Sequence, residues 1–300
     1  MKTRIIAKNA TLVGFDAADG ISLAGMLVEP RKPKAAAIHV HGLGGSFYNS
    51  NSIPEIAGAC SGIGILFLSI LNRGSYVIEE FSSAGKHSGI LAGSALERFE
   101  DCIYDIAGAI AMLKRMGYRR FFLEGHSTGC QKVLYFMNSK RFQAYRKGVA
   151  GIALLAPVDD YNYDRLAYGK RQASLVDHAL KLKKKKELLM PKSLVGSNSI
   201  IGVERFLSTA MPERPEARIL NYRLKNMSYI QGLNVPMLVV FGSKDEYMTD
   251  TSVNAAVGKL KHQYSGPSIE CAVISGTGHT FHGKRLRVAE TIASFYSRLL

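Results

Sequence analysis

A serine framed by glycines, Gly125-His126-Ser127-Thr128-Gly129, is the segment of this sequence best suited to chemistry. It follows the apolar stretch Phe121-Phe122-Leu123 and precedes a helical run from Cys130 to Met137, so the serine falls on a strand-to-helix turn. Such a turn strains the serine backbone, and the two glycines remove side chains that would collide there. A hydroxyl presented this way is still a weak nucleophile until a base takes its proton and a carboxylate holds that base in the right tautomer. Two later segments can supply both partners. The apolar run Met237 to Phe241 leads into Gly242-Ser243-Lys244-Asp245-Glu246, and the run ending at Ile274 leads into Ser275-Gly276-Thr277-Gly278-His279. Asp245 and His279 thus sit at the ends of successive strands, in the order serine, acid, histidine. Asp159 and Asp160, just after Ala156-Pro157, compete for the role of acid. Asp245 is preferred because its glycine-led turn faces the loop of the next strand.

Acyl chemistry also needs donors aimed at the developing oxyanion. His41-Gly42-Leu43-Gly44-Gly45 follows the apolar stretch that ends at Val40, and the backbone N–H groups of Leu43 and Thr128 are the expected pair. Other polar residues take supporting parts. His39 reads as a buried supporting histidine, and His126 and His282 can bond loops without occupying the base position. Arg73, in Asn72-Arg73-Gly74, reads as a residue that fixes its loop through charge-assisted bonds rather than one that binds a carboxylate substrate.

These groups need a rigid scaffold, and its pattern is legible. Residues 4 to 28 read as an antiparallel hairpin, with strands over 4–13 and 21–28 and a turn at Asp16 to Gly20. Buried strands are expected at Ala35 to Val40, Gly64 to Ile70, Phe121 to Glu124, Gly151 to Ala156, Met237 to Phe241 and Ile269 to Ile274. Most are continuously apolar, as parallel strands covered on both faces must be. Phe99, Ile103, Ile106, Ile110 and Leu113 recur at helical spacing and mark one apolar face between two of them. Residues 158 to 232 break the alternation. They carry many tyrosines, a lysine cluster from Lys181 to Lys186 and no clear buried strand, and read as a helical lid inserted between strands. Its apolar residues, among them Leu166, Tyr168, Leu188, Ile200 and Phe206, are expected to cover an acyl pocket.

The 300 residues fit one α/β domain, with 1–157 and 233–300 as catalytic core and 158–232 as lid. A hydrophobic fraction of 47% is enough for a large core, and no apolar run is long enough to cross a membrane. The first residues lack a signal-peptide core, and Cys60, Cys102, Cys130 and Cys271 lie far apart, so the expected compartment is the cytoplasm and the cysteines are expected to be buried thiols. Neither a metal nor an organic cofactor is implied. The net charge of +15 makes a basic surface, but the lysine cluster has no interleaved aromatics or nucleic-acid motif. It reads as the solvated face of a helix, and no nucleic-acid partner is expected.

From about residue 20 to residue 300 the chain resembles the α/β-hydrolase superfamily, in its esterase and acyl-hydrolase branch. The segments His41 to Gly45 and Gly125 to Gly129, with Asp245 and His279, carry the likeness. It implies an α/β-hydrolase fold with a mostly parallel eight-stranded sheet flanked by helices, and a serine esterase working through an acyl-enzyme. Gly125 to Gln131 together with Leu154 to Asp160 is similar to a subfamily that includes fungal siderophore esterases. A short-peptide peptidase and an acyltransferase would use the same triad, and a non-catalytic binding module could keep the fold. The substrate expected is a small-molecule ester; the oligomeric state is not legible.

Overall fold

The computed structural model describes residues 9–49, 52–83, 89–196 and 200–300. Ten strands are present among them: β1 (Ala10–Asp16), β2 (Ser22–Val28), β3 (Ala35–Val40), β4 (Ile65–Leu71), β5 (Glu79–Phe81), β6 (Ile90–Ala92), β7 (Phe121–His126), β8 (Val149–Leu155), β9 (Met237–Gly242) and β10 (Ile269–Ile274). β5 and β6 form a small separate hairpin, and the other eight make one sheet in the order β1-β2-β4-β3-β7-β8-β9-β10. From β4 to β10 every neighbour is parallel, so the C-terminal ends of six strands share one edge of the sheet. β1 and β2 complete the sheet as antiparallel strands.

The continuously apolar sequences of β3, β7 and β9 are buried on both faces, which their pattern required. β10 departs from that expectation. It is the edge strand, its residues other than Ile274 are half-buried or exposed, and Cys271 on it is only half-buried, whereas Cys60, Cys102 and Cys130 are buried. The first hairpin also differs from its expected bounds. β1 runs on to Asp16, paired with Ser22, because the chain reverses through Ala17 to Ile21, where the Ala17 amide bonds the Ile21 carbonyl at 2.8 Å. The expected strand residues 4–8 lie outside the described residues.

Three helices matter for the site. α1 (Ile53–Gly62) starts with Pro54 in its first turn and covers the sheet face carrying Ala35, Ala37 and Phe67, beside the helix Arg285–Ser297. α2 (Cys102–Arg115) and α3 (Thr128–Asn138) cover the opposite face, where Ile38, Val40, Leu123 and Phe241 pack with Ile106, Ile110, Val133 and Leu134. The sheet therefore lies between two apolar layers, and the strand ends are held rigidly.

Between β8 and β9 the described residues form helices and loops and no strand of the sheet. Leu175, Ala179, Met190, Val203, Phe206 and Leu207 make a small core belonging to this segment alone. A buried ion pair, Arg205 with Glu216, joins two of its helices, and Ser208 donates to the same carboxylate at 2.6 Å. The lysines from 181 to 186 lie exposed at the end of the helix Gln172–Lys184, where the negative end of the helix dipole favours them.

Candidate active site

The shared edge of the parallel strands carries every residue singled out for chemistry. Ser127 stands between β7 and α3 with φ 55° and ψ −128°, a conformation that a non-glycine residue adopts only under constraint. The flanking glycines are required by close approach. A Cβ on Gly129 would lie 2.0 Å from the Val40 carbonyl oxygen, and one on Gly125 would lie 2.4 Å from that of Gly129. The Ser127 amide donates to the Leu155 carbonyl at 2.9 Å, which ties the turn to the adjacent strand.

His279 and Asp245 come together as the strand order allows. Both carboxylate oxygens of Asp245 lie 3.1 Å from His279 Nδ1, and both residues are buried. With Nδ1–H directed at the carboxylate, Nε2 is left bare and able to take a proton. The histidine loop is held by its own backbone. The His279 amide donates to Glu246 at 2.9 Å, and its carbonyl accepts from His126 Nε2 at 3.1 Å. Burial pushes the Glu246 carboxyl up, but the His279 amide bond, the bond to its own amide and the charge of His279 together outweigh it and lower its pKa. Ser127 and His279 line one cavity of about 450 Å³, although the Ser127 hydroxyl bonds no other group among the described residues. Such contacts often tighten only when substrate is bound.

Asp159 and Asp160 are not brought to the histidine. Asp159 caps the helix Asp160–Tyr168, accepting from the Asn162 amide at 3.0 Å and the Tyr222 amide at 3.0 Å. Asp160 accepts from Gln131 Nε2 at 2.6 Å and lines the cavity wall. The expected apolar cover is not found there. Leu166, Leu188 and Ile200 face solvent, Phe206 packs in the inserted segment's own core with Tyr168 against it, and among the described residues of 158–232 only Asp160 lines the cavity. The segment buries its other large apolar residues elsewhere: Leu175, Phe206 and Leu207 against one another, and Ile219, Leu220, Tyr222, Met227 and Ile230 in the core of the sheet.

The loop His41 to Gly45 closes over the serine. A Cβ on Gly42 would stand 2.8 Å from Ser127 Cβ, so the loop that carries Leu43 packs directly against Ser127. Among the described residues neither the Leu43 nor the Thr128 amide has an acceptor. The His41 ring holds this loop. Its Nδ1 donates to the Gly42 carbonyl at 2.7 Å, and its bare Nε2 accepts from the Asn72 amide at 3.3 Å and lies 2.8 Å from Ser75 Oγ. Burial, and the charge of Lys132, lower its pKa to about 3. His126 is likewise lowered to about 3 by burial and by His279. His39 pairs with Glu124 at 2.5 Å beneath the cavity, and its Nε2 has no partner among the described residues. Arg73 binds Asp105 at 2.7 Å and Asp19 at 3.0 Å, which fixes its loop. His282 lies apart and contacts Arg285.

Sequence reasoning missed one pair altogether. Lys132 on α3 is fully buried and reaches Glu97 at 2.6 Å and Asn72 Oδ1 at 3.1 Å, linking the nucleophile helix to the loop that His41 touches. The signal was a lysine on an otherwise buried helix face, and its partner could not be chosen from sequence. Tyr247, whose ring centroid lies 4.5 Å from that of His279, was also overlooked. Among the described residues no group of three or more His, Cys, Asp or Glu side chains is arranged to hold a metal ion.

Removing the lysine should expose the cost of its buried partner. Lys132→Met should lower unfolding free energy by about 3–5 kcal/mol in urea titrations, and Lys132→Met with Glu97→Leu should lose less, since no lone charge then stays buried. A single variant as stable as the native chain would contradict this. His41 makes a second expectation. Its pKa is depressed on folding, so between about pH 6.5 and pH 3 the unfolded chain binds the extra proton and stability falls as pH falls. The contribution reaches about 1.4 kcal/mol per pH unit, and His41→Gln should flatten that part of a melting-temperature profile.

Comparison with known proteins agrees with this architecture. EstB, a siderophore hydrolase from Aspergillus fumigatus, superposes with a TM-score of 0.72 at 16% identity, over 97% of this chain and 98% of that one. The ferulic-acid complex of Est1E from Butyrivibrio proteoclasticus gives 0.62 at 17% identity, over 95% and 98%. Alpha/beta hydrolase domain-containing protein 10 from mouse gives 0.62 at 15% identity, over 97% and 100%. At such identities the likeness establishes the fold, which is that of the α/β hydrolases. No curated protein sequence matches the chain. A family model described as "Protein of unknown function (DUF1749)" matches residues 69–294, and the chain belongs to that family.

Proposed function

We propose that the protein is a serine esterase that cleaves a carboxylic ester through an acyl-enzyme. One observation carries this reading: a strained serine opens into the same cavity as a histidine whose Nδ1 proton is held by a buried carboxylate. Ser127 Oγ attacks the ester carbonyl while His279 Nε2 takes its proton, and the Leu43 and Thr128 amides bond the oxyanion. The proton then passes from His279 to the departing alcohol. Water enters, gives a proton to the same nitrogen, and releases the acid from Ser127. Asp245 stays ionised throughout and steadies the imidazolium. Residues 158–232 act as a lid on one side of the cavity, contributing Asp160 and placing the Tyr163 ring 5.2 Å from that of Tyr247. The esterase names of the structural neighbours support the same reaction class.

A fluorophosphonate probe should label the protein, and Ser127→Ala should lose both labelling and p-nitrophenyl ester hydrolysis by several orders of magnitude while keeping its melting temperature. Unchanged turnover in a clean preparation of that variant would end the proposal. Asp245→Asn should cost roughly 10³ to 10⁴ in kcat. Greater damage from Asp159→Asn or Asp160→Asn would move the acid there.

The lysines make a separate test. Since none of Lys181 and Lys183 to Lys186 lines the cavity, changing all five to glutamine should leave the ratio of kcat/KM for anionic and neutral esters nearly unchanged at low ionic strength. A selective fall for the anionic ester would show that the cluster steers substrate.

A further inference from the structure

Asp160 has no part in the mechanism above, yet its carboxyl forms part of the cavity wall that also holds Ser127 and His279. Gln131 fixes it there. That side chain is fully buried, and its amide nitrogen donates to Asp160 Oδ2 at 2.6 Å and to the Val158 carbonyl at 3.0 Å, which uses both of its protons. Swinging Asp160 away would leave one of them unpaired. The second oxygen, Oδ1, accepts nothing among the described residues.

Among the described residues no free cation stands beside this carboxyl. Burial, with the charges of Glu216, Asp164 and Asp159, pushes it well above its ordinary pKa, and Arg205 is the opposing charge nearby. Arg205 is already committed to Glu216. Among the described residues no lysine or arginine lines the cavity, although the chain carries a net charge of +15. Asp160 is thus, among the described residues, the one acidic side chain of a wall without lysine or arginine. Tyr247 lines the same cavity and offers an aromatic face, on which an alkylammonium group is attracted by the ring quadrupole.

We infer that the cavity selects an ester bearing an alkylammonium group, bound by the Asp160 carboxylate and the Tyr247 ring. The inference rests on the reading of Ser127 as the nucleophile. An anionic substrate would meet a carboxyl with no countercharge beside it, and a neutral one would leave its Oδ1 without a partner. A bound ammonium satisfies Oδ1 in a site of low dielectric, where a close charge pair is strong. The exposed lysines oppose this little, since charges more than about 8 Å away are screened at physiological ionic strength.

The test compares two isosteric p-nitrophenyl esters, of 4-(trimethylammonio)butyric acid and of 5,5-dimethylhexanoic acid, with the hydrogen glutarate monoester as the anionic member. The purified full chain should show kcat/KM at least tenfold higher for the ammonium ester than for its neutral isostere, and lowest for the anion. Asp160→Asn should bring the first ratio near one, chiefly through a higher KM for the ammonium ester. Asp160→Glu should restore most of the preference. Ser127-dependent hydrolysis with no preference for the ammonium ester, or a preference that survives Asp160→Asn, would overturn the inference and leave the esterase reading standing. Absence of Ser127-dependent turnover and of fluorophosphonate labelling would overturn both.

Discussion

The turn at Ser127 is the constraint on which the rest of the site depends. A residue at φ 55° and ψ −128° stores strain of order 1–3 kcal/mol, which persists only where the surroundings leave no other conformation. Here the surroundings are two strands and a helix packed to contact. The Val40 carbonyl of β3 lies where a side chain at Gly129 would be, and the Leu155 carbonyl of β8 takes the Ser127 amide. Cys130 Sγ lies 3.2 Å from the Gly125 carbonyl and closes the turn from below. Loosening any of these would let the serine relax into ordinary backbone and withdraw its hydroxyl.

Beneath that turn the core is polar where a sheet of this kind is otherwise apolar. His39 and Glu124 face each other across β3 and β7, and Lys132 with Glu97 and Asn72 joins α3 to the loop after β4. Such pairs add little net stability compared with apolar side chains of the same volume, because desolvation offsets most of their attraction. What they provide is position: Asn72 bonds the His41 backbone and ring, and His41 bonds Gly42. The loop over the nucleophile is therefore set by charges buried several residues away. Four histidines reach one cavity, and environment gives them different states. His41 and His126 are held neutral by burial, His39 is paired with a carboxylate, and His279 is paired with Asp245 at the rim.

Charge is distributed unevenly between surface and cavity. The lysine cluster lies exposed at the end of a helix, while the buried acids Asp159 and Glu216 and the half-buried Asp160 and Asp164 gather where the inserted segment meets the core. A net charge counted along the sequence averages over these two regions and describes neither.

The sequence by itself determined the layers, the strand ends and the order of serine, acid and histidine. Those features rest on local rules: continuous apolar runs for doubly covered strands, helical spacing at Phe99 to Leu113, and glycines where a strand turns into a helix. Ser127, His279 and Leu43 could be singled out because such rules fix their positions relative to strand ends. The hairpin bounds and the half-exposed face of β10 were not legible, since edge position depends on which strand pairs last. Only the tertiary structure brings Asp245, and neither Asp159 nor Asp160, within reach of His279, because that is a distance between loops far apart in sequence. It alone sent Leu175, Phe206 and Leu207 into a separate small core and left Asp160 on the cavity wall. The physical reason is common to both cases. Burial and pairing are properties of contacts between distant segments, and hydrophobic periodicity carries information only about neighbours along the chain.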